Sequence, residues 1–303
     1  MKSLLILGCG YVGSAFAKEA LARGLRVVAV TRNEGTVLRL KSEGVEAYAV
    51  RVDSDEWHGL VGGGFDFALN CVSSAGNGLD GYRASYLGGN RSFVKWMKCS
   101  GFSGRAVYTG SVSVYPDSAG AWLEETDAIP GTERGSIVME SEEIFREGLG
   151  GVIQGTVLRL GGIYGPERHM LLNRVRSGQA ELSGFGEYYL NLIRLEDIIS
   201  AMWAVFLFEG KALKASYNVV DDVPSSKNEI VSWMAEQLGL ESPEFSGVAN
   251  GESSRRFSAT GRGSSNRRIS NGLLREHVGW CPRYKSFRDG FKDLIEAGEK
   301  GLT

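Results

Sequence analysis

The chain has 303 residues, 43% of them hydrophobic and 23% charged, with a formal net charge of -2. That length admits one large α/β domain, or a core domain with a smaller lobe, and the composition excludes disorder as the main state. The charge balance provides no general attraction to nucleic acid or to an anionic membrane.

The N-terminus enters an apolar run of only four residues, Leu4 to Leu7, before glycine. Neither a signal peptide nor a membrane span fits so short a run, and a cytoplasmic location is expected. This run is also the first predicted strand. Others are predicted at Arg26–Thr31, Val45–Val50, Phe67–Val72, Ala106–Thr109 and Thr156–Leu160. Val12, Phe16, Ala20 and Leu21 recur at helical spacing between the first two, and Gly24 supplies a stop. Longer helices are predicted over Tyr82–Cys99 and Thr132–Phe145. Strands alternating with crossover helices predict an α/β fold with a doubly wound parallel sheet, the Rossmann arrangement. Beyond Gly165 the pattern loosens. It predicts a helix starting near Glu196, a strand over Ser216–Val220, a helix over Ser226–Leu238, a loop over Gly247–Arg268 and a tail helix over Phe287–Ala297. The expected division is a dinucleotide-binding domain over 1–165 and a mixed α/β substrate lobe over 166–303. Some segments of that lobe return to the core sheet.

Gly8-Cys9-Gly10-Tyr11-Val12-Gly13 is G-x-G-x-x-G, set between a predicted strand and a predicted helix. Gly8 permits a tight turn, Gly10 lets the backbone approach a pyrophosphate, and Gly13 lets helix and strand pack closely. The amides of Tyr11, Val12 and Gly13, at the positive end of the helix dipole, would face the phosphates. The end of the second strand selects the cofactor. An acid there would bond the ribose 2′-hydroxyl of NAD, but the run reads Val30-Thr31-Arg32-Asn33. Thr31 can donate to a 2′-phosphate and Arg32 can pair with it, so NADP is expected over NAD. Arg32 as an exposed loop cation is the plainer alternative. Asp53 can accept from the adenine amine or serve as an ordinary loop residue.

The four cysteines (Cys9, Cys71, Cys99, Cys281) contain no CxxC pair, and His58, His169 and His277 are scattered. No metal site and no disulfide framework is expected. The chain has no G-x-x-x-x-G-K-[ST] and no G-x-S-x-G, so NTPase and serine hydrolase readings lack support. The pairs Arg255-Arg256 and Arg267-Arg268 lack interleaved aromatics and do not amount to a nucleic-acid site.

Five segments carry a family resemblance. They are Tyr108-Thr109-Gly110-Ser111-Val112-Ser113-Val114-Tyr115, the run from Leu158 to Pro166, Asn191 to Ile198, Ser216 to Asp221, and Asn266 to Asn271. Together they resemble the extended short-chain dehydrogenase/reductases, the NAD-dependent epimerase/dehydratase superfamily, from residue 1 to about 290. The likeness is to its atypical, YeeZ-like bacterial branch. It implies an NAD(P)-binding oxidoreductase or epimerase/dehydratase-like enzyme. Its small-molecule substrate, anionic or sugar-nucleotide-like, would lie in a cleft between the sheet's C-terminal edge and the later lobe. It also implies a homodimer paired through helices such as Tyr82–Cys99 and Thr132–Phe145.

The chain departs from the family at the Tyr-x-x-x-Lys dyad that moves the proton. Arg134 stands where the Tyr is expected and Val138 where the Lys is expected, while Ser111 remains. Tyr164 and His169, flanking the sixth-strand turn, are the substitute acid–base candidates. Arg134 could bind an anionic substrate group or be a helix-surface cation. Tyr115 reads as a packing residue. Loss of the dyad keeps a second function class open, an NADP-binding sensor or scaffold without turnover.

Overall fold

The computed structural model describes residues 1–74, 78–151, 153–248 and 265–300. The chain divides into two compact units. One takes Met1–Ser113, Glu133–Arg159 and Met202–Tyr217; the other takes Val114–Thr132, Leu160–Ala201 and Asn218–Thr303.

The first unit is built on a parallel sheet. Strands β1 (Ser3–Leu7), β2 (Arg26–Thr31), β3 (Glu46–Ala49), β4 (Phe67–Asn70) and β5 (Arg105–Ser111) are joined by Gln154–Leu160 and Ser216–Val219. The seven lie in the order Ser216–Val219, Gln154–Leu160, β5, β4, β1, β2, β3. All five residues of β1 are buried, as expected for a strand covered on both faces. Leu7 is in register with Val30 on one side and Asn70 on the other. The strand order therefore reverses at β1, and the chain leaving β1, β2 and β4 emerges along one edge. In doubly wound sheets such a switch point is where ligands bind.

Helix α1 (Tyr11–Ala22) buries Val12, Phe16, Ala17 and Ala20, and the Phe16 ring lies 4.8 Å from that of Trp203. Helices α2 (Glu34–Ser42) and α3 (Glu56–Val61) follow β2 and β3. The helix predicted over Tyr82–Cys99 is broken into three pieces. These are a single turn α4 (Leu79–Tyr82), a π-helical stretch Arg83–Gly88, and α5 (Gly89–Cys99). Adjacent glycines weaken the α ladder there, and the chain passes so close to Asp53 that a methyl on Gly88 would lie 2.9 Å from its Cβ. Helix α6 (Glu133–Leu149) packs on α5, with Phe145 stacked on Phe93 at 6.0 Å. Strand β4 stops at Asn70, two residues short of the predicted Val72, because the Asn70 side chain accepts a bond from the Val72 amide and turns the chain.

The second unit has a core of its own. Leu172, Val175, Leu182, Ile230, Val231 and Met234 meet Phe287, Phe291, Leu294 and Ile295 of the tail helix Phe287–Lys300. The expected loop over Gly247–Arg268, including Arg255 and Arg256, lies mostly outside the described residues. No helix among the described residues is long and apolar enough to cross a membrane.

Candidate functional site

The glycine loop sits at the switch point. Gly8 adopts φ +91°, and a methyl there would lie 2.8 Å from Val72 N and Cα. A methyl on Gly13 would lie 2.2 Å from the Gly8 carbonyl oxygen. Both positions therefore require glycine to let helix and strands close up. Gly10 differs: a methyl there meets no atom within 4 Å, so the space over the loop is open. Gly10 is the N-cap of α1 and brings no side chain to cap the first-turn amides of Tyr11, Val12 and Gly13. An open cradle at a helix start that no N-cap side chain covers fits a dinucleotide pyrophosphate.

Two cysteines brace this loop. Cys71 Sγ donates to the Gly8 carbonyl at 2.9 Å, and Cys9 is buried beside it. Burial pushes the Cys9 thiol up to about 12 and the Cys71 thiol well above its usual value, so both are structural groups and not nucleophiles. Ser14 Oγ donates to the Cys9 carbonyl and accepts from Arg39 Nη2, each at 2.9 Å, which brings a guanidinium from α2 to the first turn of α1.

Thr31 is buried at the end of β2 and Arg32 is exposed one residue on. Asp53, the other residue expected near the adenosine, is held by an arginine. Arg51 grips its carboxylate with Nε at 3.0 Å and Nη2 at 2.6 Å.

Below the sheet edge runs a buried polar chain. Asn70 Nδ2 donates to Asn90 Oδ1 at 2.6 Å, and Asn90 Nδ2 donates to Ser141 Oγ at 2.8 Å. Ser141 Oγ also bonds the Tyr108 hydroxyl at 3.1 Å and the Tyr86 carbonyl at 2.8 Å. It ties β4, β5 and the π-helical stretch to α6 with each buried group satisfied.

Ser111 ends β5, where its Oγ accepts from the Ser113 amide at 3.1 Å. Glu142 and Arg159 form a buried ion pair directly beneath, the carboxylate oxygens 2.8–3.1 Å from the guanidinium. A methyl on Gly110 would lie 2.7 Å from Glu142 Oε1. Burial pushes the Glu142 carboxyl up and Arg159 opposes it. Val138, at the expected Lys position, is 1% exposed; Arg134 lies one turn nearer the helix start, with Cζ 5.2 Å from the Tyr82 ring centroid.

The structure keeps Ser111, the glycine loop, Thr31, Arg32 and Asp53 in one unit. Tyr164 and His169 fall in the other. Tyr164 stacks on Phe291 at 4.5 Å, and its hydroxyl fills the space where a methyl on Gly290 would stand. That hydroxyl is buried with no hydrogen-bond partner, and burial raises its pKa strongly. His169 stands at the N-cap position of the helix Met170–Arg176 without a side-chain cap bond, its Nδ1 3.0 Å from the Gly165 carbonyl oxygen. Tyr115 donates to Asn218 Oδ1 at 2.6 Å inside the same unit. Among the described residues no group of three His, Cys, Asp or Glu could hold a metal ion.

Sequence reasoning missed Asn70, Asn90, Ser141, Cys71, Arg39 and Tyr82. Cys71 carried a usable signal, since it lies near the end of the predicted strand Phe67–Val72, which neighbours the glycine loop. The others sit on helices or strand ends where nothing in the local pattern marks them.

The model of the NAD dependent epimerase/dehydratase family matches residues 4–219. The chain belongs to this family. Protein YeeZ of Escherichia coli strain K12 is 27% identical over 265 residues, 81% of this chain and 87% of that protein. A functionally unknown conserved protein from Silicibacter pomeroyi has a similar fold, with TM-score 0.75 at 22% identity over 98% of this chain and 99% of that one. So does MoeE5, solved with UDP-glucuronic acid and NAD, with TM-score 0.81 at 20% identity over 99% of each chain.

Proposed function

We propose that the chain is an NADP-dependent oxidoreductase acting on a hydroxyl or carbonyl carbon of a small anionic molecule of the sugar-nucleotide kind. The open cradle at Gly10, in a chain of this family, carries the reading. When bound, the nicotinamide supplies or accepts the hydride. The chain's own residues do the rest. The glycine loop and the start of α1 hold the pyrophosphate, Thr31 and Arg32 hold the 2′-phosphate, and Ser111 donates a hydrogen bond to the reacting oxygen. MoeE5 was solved with a sugar nucleotide, which supports that substrate class here.

A binding protein without turnover is the second reading, favoured by one observation: Val138 stands buried where the family's lysine is expected. Thermal shift with NADP and NAD, then NADPH consumption across aldehydes, ketones, keto-sugars and sugar nucleotides, separates the two. NADP binding with turnover supports the enzyme. Tight NADP binding without turnover on any of them moves the sensor ahead.

Cofactor choice is tested separately. Arg32→Ala is expected to weaken NADP about tenfold or more and NAD little, because a charge-assisted contact contributes roughly 1.5–3 kcal/mol. Equal weakening of both, or a wild type preferring NAD, counts against NADP.

A further inference from the structure

We infer that Tyr82 is the proton donor to the substrate oxygen and that Arg134 steadies the phenolate it leaves, an acid and a cation supplied by two helices. The inference rests on the oxidoreductase reading above.

Serine alone cannot shuttle a proton near neutral pH, so a reduction needs another acid close to Ser111. In the unit that holds Ser111, the end of α6 nearest the sheet edge is where such a group must be sought. Glu142 touches the Gly110 position, and Val138 and Arg134 follow at one and two turns towards the helix start. Val138 is buried, so this side of α6 faces inward. Arg134 thus projects beyond the end of β5, roughly 12 Å along the axis from Glu142.

Arg134 is out of place by local rules. It occupies the first turn of α6, where the helix dipole disfavours a cation, while its neighbour Glu133 is suited to that turn and pairs with Arg83 at 2.9 Å. A side chain that breaks a local rule is often one kept for function. The ring Arg134 covers is Tyr82, at 5.2 Å. A guanidinium over an aromatic face is attracted to the ring, and more so when the ring carries phenolate charge.

Tyr82 itself packs on a ring tied to the chain that leaves β4. It closes α4 immediately before the π-helical stretch, a rare form common at functional sites. Its ring lies 5.2 Å from that of Tyr86, and the Tyr86 phenol is hydrogen-bonded by the backbone of Ser74, in the segment leaving β4. Burial pushes Tyr86 up to about 12, so it stays protonated and anchors the pair. Tyr82 is only half-buried and can recover a proton from water.

In the reducing direction, a bound reduced nicotinamide would supply the hydride to the carbonyl carbon, the π electrons moving to oxygen. The Tyr82 O–H bond breaks and its proton goes to that oxygen. The substrate is reduced to the alcohol, the nicotinamide is oxidised, and the phenolate takes a proton back from solvent.

The test uses the full chain and the best substrate from the panel, comparing wild type with Tyr82→Phe, Arg134→Met and Arg134→Lys. NADPH affinity is read from cofactor fluorescence. Tyr82→Phe is expected to lower kcat on the order of 10²–10⁴-fold, with KM and NADPH affinity within about twofold. Arg134→Met should lower kcat with the same split, and Arg134→Lys should restore much of the loss. Tyr82→Phe with kcat near wild type overturns the assignment while the oxidoreductase reading stands. So does Arg134→Lys behaving no better than Arg134→Met. A wild type that binds NADPH but reduces nothing overturns the oxidoreductase reading and this inference with it. If Tyr82→Phe fails to bind NADPH or loses its circular dichroism, the two Arg134 variants decide.

Discussion

A methyl group at Gly10 meets nothing within 4 Å, whereas one at Gly13 would lie 2.2 Å from the Gly8 carbonyl oxygen. The two glycines therefore do different jobs three residues apart. Gly10→Val should fold with near wild-type stability, because its Cβ projects into open space, yet lose the thermal shift that NADP induces. Gly13→Ala should fail earlier, since backbone must move to admit the methyl; overpacking of this kind costs roughly 1–3 kcal/mol. Urea unfolding without and with NADP checks both. A Gly10→Val protein that keeps its NADP shift would remove the loop from the cofactor site. The glycines were legible because their motif is local. Asn90 and Ser141 were not: each belongs to a residue type ordinarily exposed, and their partners lie far away in sequence.

At the scale of elements, central strands such as β1 and β4 could be read because both faces are covered and each is a near-continuous apolar run. The break between α4 and α5 could not, since a π-helical stretch keeps helical composition and alters only the ladder. One helix contact predicts its own repair. A methyl on Gly148 of α6 would lie 2.3–2.9 Å from three side-chain carbons of Val94 on α5. In a helix interior Gly→Ala normally gains about 1 kcal/mol. Here Gly148→Ala should destabilise, because a β-branched side chain opposite has little room to turn. In a Val94→Ala background the 2.3 and 2.5 Å contacts are gone and only the 2.9 Å contact to Cβ is left, so the same change should cost less. A double-mutant cycle by urea denaturation measures that coupling, and strictly additive effects would contradict the close helix approach.

For the whole molecule, pH dependence follows from buried acids. Burial raises the pKa of Glu142 in the first unit and of Asp197 and Asp221 in the second. Asp221 is the extreme case, with one carboxyl oxygen buried and lacking a hydrogen-bond partner. An unfolded chain releases these protons at ordinary carboxylate values, while the folded chain holds them to higher pH. Between the two values the native state binds more protons, so stability falls as pH rises through that window and the deficit persists above it. Asp221→Asn keeps the shape and removes the titration. It should raise the denaturation midpoint at neutral pH and flatten the fall on the acid side. A midpoint lowered at neutral pH would mean that the ionised carboxylate is needed.

The spatial order of the strands also sets a timetable for synthesis. When Ser113 has emerged from the ribosome, β1 to β5 and the glycine loop between them are all present, and β5 is the outermost strand. Its neighbour in the finished sheet, Gln154–Leu160, arrives about 40 residues later. At 5–20 residues per second that leaves an uncovered strand edge for on the order of 2–8 s. An open edge of apolar sequence is a template for any other extended chain. Slow translation between Ser113 and Gln154 should therefore increase aggregation more than the same delay after Val219, when the last strand of the sheet has been made.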